Sequence, residues 1–360
     1  MKSKIEHNMT KLLKEFKKPI SGKSVFIGPD SEEDIIILAL ESSCDETACA
    51  IVKNGREVLA NIVASQIKTH TQFGGVVPEI AAREHLDAVN AIIDEAFKQS
   101  GLQPKDITAI AATVGPGLVG SLLVGLNAAK ALAIAYDKPF IGVNHLNAHV
   151  CANYIDTDLK PPMIALLVSG GHTQIIKVEN YLEQEIIGET IDDATGEAYD
   201  KVARLMGLPY PGGLNLDKMA ANGNPKAYIL PKAKLQGEFD FSFSGLKTAV
   251  LNLTRKLEKE LGFLPKEDIA ASFQECITST LFKKTVKAAE KFGIKQIVLG
   301  GGVAANSEIR KKFFALESQG YKIYAPAMKY CTDNASMIAS SAYFLANTMD
   351  SLEIEVFSRC

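Results

Sequence analysis

The sequence predicts an α/β fold of two similar lobes, and three observations carry that expectation. An apolar run, Ile35–Leu40, passes through a polar turn, residues 41–47, into a second apolar run, Ala48–Val52. The same pattern returns as Met163–Val168, Ser169–Thr173 and Gln174–Val178. From Ile35 onward, strand-like and helix-like segments alternate, as they do in α/β proteins. A buried strand that turns back through hydroxyl and glycine residues gathers backbone N–H groups at one point, and such a point holds anions. Two such turns point to two lobes facing one nucleotide; two unrelated hairpins would give the same local pattern.

The 360 residues are enough for two domains of ordinary size. Hydrophobic residues at 47% and charged residues at 22% fit a soluble globular enzyme. A formal charge of −3 excludes a protein that coats nucleic acid through bulk charge, leaving only a local patch or a partner for such contacts. The six cysteines form no C-x-x-C pair. Without a secretory signal they read as reduced thiols of a cytoplasmic protein. Residues 107–129 carry no charge and are long enough to span a bilayer. Gly115-Pro116-Gly117 interrupts them, so they read as strand, turn and buried helix, with no membrane segment.

Residues 1–34 form an N-terminal extension. Ile5, Met9, Leu12, Leu13 and Phe16 recur at helical spacing among lysines, which suits either contact with a membrane, partner or tRNA, or a loosely docked or poorly ordered helix. The absence of arginine and the presence of Glu6 and Glu15 argue against a transit peptide. A first lobe, 35–155, adds a third strand at Val58–Ser65 and a helix from Val77 to Lys98. In that helix Ile80, His85, Val89, Ile92 and Ile93 mark the inner face. A strand Ile107–Val114, a helix from about Leu118 to Tyr136 and a strand Phe140–Val143 follow. Residues 156–162, ending in Pro161-Pro162, read as a linker. The second lobe, 156–360, continues after its hairpin with a strand Ile186–Glu189. Helices are expected near 196–206, 245–261 and 265–292, then a strand Gln296–Leu299, a glycine turn, a helix and a strand Lys322–Pro326.

Several residues carry chemistry. His145 and His149 stand at i and i+4, so both side chains leave one helix face. They either share a metal or pack at a buried helix start; the Glu of H-E-x-x-H is missing, which removes a zinc protease's base. A metal there needs a distant third ligand. Asp333 is a candidate, and it serves equally well as an N-cap of the Ala/Ser-rich segment after it. Ser169-Gly170-Gly171 reads as a phosphate turn or as a plain hairpin turn. Asp192 and Asp193 suit a helix N-terminus, and Asp200 lies one turn inside that helix on the side of Gly196, placed for a ribose hydroxyl or for solvent. Pro211-Gly212-Gly213 reads as a tight turn, with Asp217 expected at the start of the next helix. Gly300, Gly302 and Ala305 match G-x-G-x-x-A formally, but no acid ends the next strand, so a dinucleotide fold is rejected in favour of a turn beneath adenine or ribose.

Taken together, these segments resemble the tRNA N6-adenosine threonylcarbamoyltransferase family of the bacterial TsaD type, formerly described as O-sialoglycoprotein endopeptidases. The matching pieces are ESSCDET (41–47), FGGVVPEIAAREH (73–85), GPGLVGSLLVG (115–125), NHLNAH (144–149), LVSGGHTQ (167–174), DDATGEAYDKVARLMGLPYPGG (192–213), FSFSGLKTAV (241–250), GGGVAAN (300–306) and CTDNASMIA (331–339). The resemblance implies two RNase H-like lobes of the actin, Hsp70 and sugar-kinase (ASKHA) superfamily, with a nucleotide cleft between them. It implies transfer of the threonylcarbamoyl group from threonylcarbamoyl-adenylate to N6 of adenosine 37 in tRNAs that read ANN codons. By position it assigns one divalent metal, iron or zinc, to His145, His149 and Asp333. It assigns the nucleotide (the adenylate, or ATP or AMP) to Leu167, Val168, Ser169, Gly170, Gly171, Asp200, Gly213, Asp217 and Asn306. Asp45 and Glu46 would lie near the reacting group. The implied partners are tRNA, a smaller paralogous subunit and a P-loop ATPase. Leu214 replaces the proline usual after Pro-Gly-Gly and is expected to loosen that turn.

The implied chemistry suits these residues. The carbamoyl carbon of the mixed anhydride is already activated, and the nucleophile is a weak exocyclic amine. A His/His/Asp site keeps open positions for polarising phosphate or carbamoyl oxygens. Glycine turns add N–H donors, and Asp45 or Glu46 can accept the amine proton. An ASKHA-type small-molecule kinase or a non-catalytic nucleotide-binding scaffold would share the fold. The kinase would need a first-lobe Asp as in-line base beside a sugar pocket, and the scaffold would lack the metal.

Overall fold

A computed structural model describes residues 28–29, 31, 33–345 and 352–358. The amphipathic segment expected within residues 1–27 lies outside the described residues. Two compact units account for the chain. One comprises residues up to Gln66, Pro78–Asp156 and the chain from Asn334; the other comprises Ile67–Val77 and Thr157–Asp333.

In the first unit β1 (Ile36–Glu41) and β2 (Glu46–Lys53) form the expected hairpin, and β3 (Glu57–Ser65) extends it antiparallel. β4 (Ala109–Gly115) and β5 (Phe140–Asn144) then add parallel to β1, giving the order β3-β2-β1-β4-β5. In the second unit β6 (Met163–Val168), β7 (Thr173–Val178) and β8 (Gln184–Glu189) repeat the antiparallel half. β9 (Gln296–Gly300) and β10 (Lys322–Tyr324) repeat the parallel half, giving β8-β7-β6-β9-β10. The two sheets share one topology. Both carry a register slip between their second and third strands, at Ile51/Val52 and at Ile175/Ile176. The lobe-sized repetition read from the two hairpins is therefore present at the level of whole sheets.

The central strands are buried on both faces, which is why they read as unbroken apolar runs. In the first sheet Leu38, Leu40, Cys49 and Ile51 pack with Val89, Ile92 and Ile93 of helix α2 (Pro78–Ser100) and with Leu126 and Ala129 of α3 (Val119–Ala135). Each such leucine, isoleucine or valine contributes on the order of 1.5–3 kcal/mol by leaving water. The uncharged stretch 107–129 is thus a core strand and a packed helix. No helix among the described residues is long and apolar enough to cross a membrane.

Two segments differ from the expected lobe boundaries. Helix α10 (Ala335–Leu345) packs on β1, β2 and α4 (His145–Cys151), so the chain returns to the first unit near residue 334. Its small residues let an almost wholly buried helix lie close against the sheet. Residues 352–358 stay with it: Leu352, Ile354, Val356 and Phe357 pack on the core, and the Phe357 N–H donates to the Val114 carbonyl at 2.9 Å. Conversely, the excursion Ile67–Val77, with the short helix α1 (Ile67–Thr71), belongs to the second unit, where Arg204 Nη2 donates to the Gly74 carbonyl at 3.0 Å.

The second core packs Leu166, Val168 and Ile175 against α5 (Thr195–Leu205) and α8 (Lys266–Phe292). Helices α6 (Gly212–Ala220), α7 (Ser244–Leu261) and α9 (Ser307–Phe314) complete this unit. Cys44, Cys49, Cys151, Cys276 and Cys331 are free thiols, and burial pushes the Cys151 thiol up to about 12.

Candidate active site

The first-unit site is built at the ends of three adjacent strands. Between β1 and β2 the turn Ser42–Asp45 is seated on the start of α3 by two glycines. The Ser42 hydroxyl donates to the Ser121 carbonyl at 2.8 Å and accepts from the Gly125 N–H at 3.1 Å. It thereby inserts itself into one i to i+4 step of the helix. A Cβ on Gly125 would stand 2.5 Å from that hydroxyl. Eight residues earlier, just before the helix, a Cβ on Gly117 would stand 2.6 Å from the Ser43 carbonyl, which accepts the Leu118 N–H at 2.8 Å. The glycines of GPGLVGSLLVG make room for the serines of ESSCDET.

Asp45 is buried at this turn, and the half-buried Glu46 opens β2. A buried histidine holds the turn from the other side. His85 Nε2 faces the Cys44 carbonyl at 3.1 Å, and His85 Nδ1 faces the Thr47 hydroxyl at 2.7 Å. Burial lowers the pKa of His85, opposed by its bond to the Cys44 carbonyl. A neutral ring with its proton on Nε2 satisfies both partners.

β5 ends in Asn144, whose side chain caps α4 by accepting the Leu146 and Asn147 N–H groups at 2.9 and 3.3 Å. His145 and His149 leave this helix on one face, both buried, with ring centroids 4.7 Å apart. Asp333 stands next to Asn334, the residue at which the chain rejoins this unit. One ligand atom each from His145, His149 and Asp333 lie within 4.8 Å of one another. The expected helix cap at Asp333 falls instead to Asn334, which accepts the Met337 N–H at 3.2 Å. Two imidazoles and a carboxylate match the donor set of a catalytic divalent cation.

A carboxylate that the motif reading passed over completes this cluster. Glu41, the last residue of β1, is 1% exposed and faces His145 Nδ1 at 3.0 Å. A glutamate closing an otherwise apolar strand, inside the ESSCDET segment, was the signal for it.

In the second unit the predicted nucleotide residues cluster around the first turns of α5. The Ser169-Gly170-Gly171 turn spends its carbonyls on that helix: Gly196 N–H donates to the Ser169 carbonyl and Glu197 N–H to the Gly170 carbonyl, both at 3.1 Å. A Cβ on Gly196 would lie 2.7 Å from Gly170 Cα, and one on Gly301 would lie 2.4 Å from the Val168 carbonyl. Three backbone segments therefore meet here with no side chain between them. Gly170 and Gly171 are exposed, with open space about them. Leu167 and Val168 end β6 with buried side chains, so only their backbone is available.

Asp200 accepts the Gly213 N–H at 3.2 Å and sits against Gly212, where a Cβ would stand 2.8 Å from its carboxylate. Burial raises its pKa, opposed by the Gly213 and Gly212 N–H groups. Asp217 is not at a helix start. It is the sixth residue of α6, because Gly212 already opens that helix, and it accepts the Ser307 hydroxyl at 2.8 Å and the Ser307 N–H at 3.1 Å. Leu214 lies exposed in the first turn of α6, where an N–H has no intrahelical acceptor and the missing proline leaves the helix intact. Asn306 caps α9 through its side-chain oxygen and donates to Gln274 at 2.9 Å. Its expected role as a nucleotide ligand thus shares the side chain with a structural one.

Asp192 and Asp193 do not cap their own helix, whose first N–H groups the Ser-Gly-Gly turn has taken. Asp193 pairs with Lys201 at 2.7 Å. Asp192 instead receives the Phe243 and Ser244 N–H groups and both serine hydroxyls of the FSFSG segment. Burial pushes its pKa up, and those four donors outweigh it and hold it below the usual value.

Residues 57–340 match the family described as TsaD: tRNA N6-adenosine threonylcarbamoyltransferase. The chain belongs to the TsaD family. It is 54% identical over 312 residues to the tRNA N6-adenosine threonylcarbamoyltransferase of Clostridium perfringens, covering 86% of this chain and 92% of that one. It is 50% identical over 314 residues to the protein of that name from Bacillus subtilis, covering 86% and 90%. Among solved structures, full-length HypF in a phosphate- and nucleotide-bound form superposes with a TM-score of 0.60 at 16% identity, over 86% of this chain and 46% of that one. HypF of T. kodakarensis gives the same TM-score and identity over 90% and 51%. These likenesses show a shared α/β fold, and the TsaD relatives establish the enzyme class, an acyltransferase acting on tRNA.

Proposed function

We propose that this TsaD-family enzyme transfers the threonylcarbamoyl group of threonylcarbamoyl-adenylate to N6 of adenosine 37 in ANN-decoding tRNAs, with one divalent metal, iron or zinc, on His145, His149 and Asp333. The observation that carries the metal assignment is the convergence of those three ligand atoms within 4.8 Å. A cation held there would supply Lewis-acid polarisation of phosphate or carbamoyl oxygens.

The chain's own residues have the remaining tasks. The exposed Gly170 and Gly171, with no Cβ to bar close approach, offer backbone to the adenylate phosphate. Asp200, held beside the α6 glycines, would accept from the ribose hydroxyls, and Asp217 and Asn306 would bound the nucleoside. Asp45 or Glu46, on the turn clamped by Ser42, Ser43 and His85, would accept the proton leaving the attacking amine. That clamp, from α3 on one side and His85 on the other, is what would keep the base from drifting away from the amine. The smaller paralogous subunit and the P-loop ATPase are the proposed partners, and the cytoplasm is the proposed compartment.

The test is reconstitution with threonine, bicarbonate, ATP, the synthase that makes the adenylate, both partner proteins and tRNA, scored by nucleoside mass. The expected product is threonylcarbamoyl-adenosine, lost in His149→Ala. Unmodified tRNA with the intact protein, or full modification by His149→Ala, would overturn the assignment.

A further inference from the structure

We propose that Glu41 is a positioning residue that fixes the orientation and tautomer of His145 as a metal ligand. The proposal rests on the metal reading above, and its test separates the two. Burying a carboxylate is costly unless donors surround it. The donors to Glu41 include the Ser43 N–H at 2.5 Å on Oε1, and the Thr113 hydroxyl at 2.5 Å and His145 Nδ1 at 3.0 Å on Oε2. The Ser43 hydroxyl also lies 3.2 Å from His145 Nδ1.

The sheet dictates this meeting. β1 runs parallel to β4 in the register Leu40 with Ala112, so the next residues, Glu41 and Thr113, are side by side. β5 runs parallel to β4 in the register Gly115 with Asn144, so His145 emerges on the same strand ends. The carboxylate, hydroxyl and imidazole therefore come from three neighbouring strands that end together, where open α/β sheets gather functional groups.

The consequence is chemical. With its other donors already in place, the carboxylate accepts from Nδ1, so the His145 proton sits there. That leaves the Nε2 lone pair for a cation. Carboxylates behind metal-bound histidines play this part elsewhere, and losing one costs about 10–100-fold in metal affinity. A glutamine at 41 keeps the size but inverts the preference. With its oxygen on the Ser43 N–H, its amide donates to Nδ1 and drives the His145 proton onto Nε2.

The test is Co2+ binding to the metal-depleted full chain, followed by visible absorption and competition with a chelator. Imidazole nitrogen shifts of the metal-free protein report the tautomer. In the expected result the intact chain binds one Co2+, His149→Ala loses it, and Glu41→Gln binds about 10–100-fold more weakly with the His145 proton moved to Nε2. Thr113→Val, which removes one donor and leaves both partners in place, gives a smaller loss in the same direction and serves as the readout if Glu41→Gln does not fold. Unchanged Co2+ affinity and an unchanged His145 tautomer in Glu41→Gln, or unchanged affinity in Thr113→Val where it is the readout, while His149→Ala loses the ion, would overturn the positioning role and leave the metal reading standing. No binding by the intact chain, or binding indifferent to His149→Ala, would overturn the metal reading and this inference with it.

Discussion

Gly301 and Gly302 are adjacent in sequence and opposite in what they tolerate. Gly301 has φ 88° and ψ 164°, a backbone region that is essentially glycine-only and costs other residues about 1–3 kcal/mol. An alanine there would also set its Cβ 2.4 Å from the Val168 carbonyl oxygen and 2.8 Å from the carbonyl carbon. Both atoms belong to the end of a central strand, which has no flexible end to swing away. Forcing a methyl into such a space costs about 1–3 kcal/mol more. The sum for Gly301→Ala is about 4 kcal/mol, a loss of about 8–16 °C in the melting temperature of a unit this size. Gly302 meets nothing within 4 Å and has no positive φ, so Gly302→Ala should stay within about 0.5 kcal/mol. Scanning calorimetry on both variants, paired with AMP titration, reads the difference. Gly301→Ala should also weaken AMP, because its turn packs against Ser169. Equal melting temperatures for the two variants would refute the claim that backbone contact between the 168–169 and 301 segments shapes this site.

Three further outcomes are expected. Burial lowers the pKa of His85, so below about pH 6.5 the unfolded chain binds a proton that the folded chain refuses, and stability falls as pH falls; urea midpoints at pH 7.5 and 5.5 should separate less in His85→Gln than in the intact chain. Asp192 is held below its usual pKa, so its contribution is complete above about pH 4 and fades as pH falls through its folded value. Asp192→Ala should cost about 1 kcal/mol near neutral pH, and hydrogen exchange should show the loss concentrated at Phe243 and Ser244. Phe357 packs its ring on the Gly115 backbone, so Phe357→Ala should cost about 2 kcal/mol of thermal stability, while a melt indistinguishable from the intact chain would show the 352–358 segment to be unattached.

Much of this architecture was legible because local pattern and tertiary environment agree. Ile35–Leu40 and Met163–Val168 read as buried strands since they are covered on both faces, and His145 and His149 read as a pair since helical spacing alone brings them to one face. What local pattern does not show is a partner distant in sequence, or a glycine pair that opens a helix where a turn is expected. Asp192 lies before α5, but the donors it serves are on the FSFSG segment some fifty residues on. Asp217 reads as a helix start because Pro211-Gly212-Gly213 looks like a turn, whereas the glycines are themselves the first turn of α6. The return of α10 to the first unit leaves no local mark, because an Ala/Ser-rich helix would pack equally well on either sheet. Glu41 stood in plain view, but only the register of β1 on β4 shows that it meets Thr113, and only β5 shows that it meets His145.

Metal content is the measurement closest to the centre of this account. Protein purified without chelator and analysed by inductively coupled plasma mass spectrometry should carry one iron or zinc per chain, and His145→Ala and Asp333→Ala should each carry none. A full complement of metal retained by both variants would contradict it.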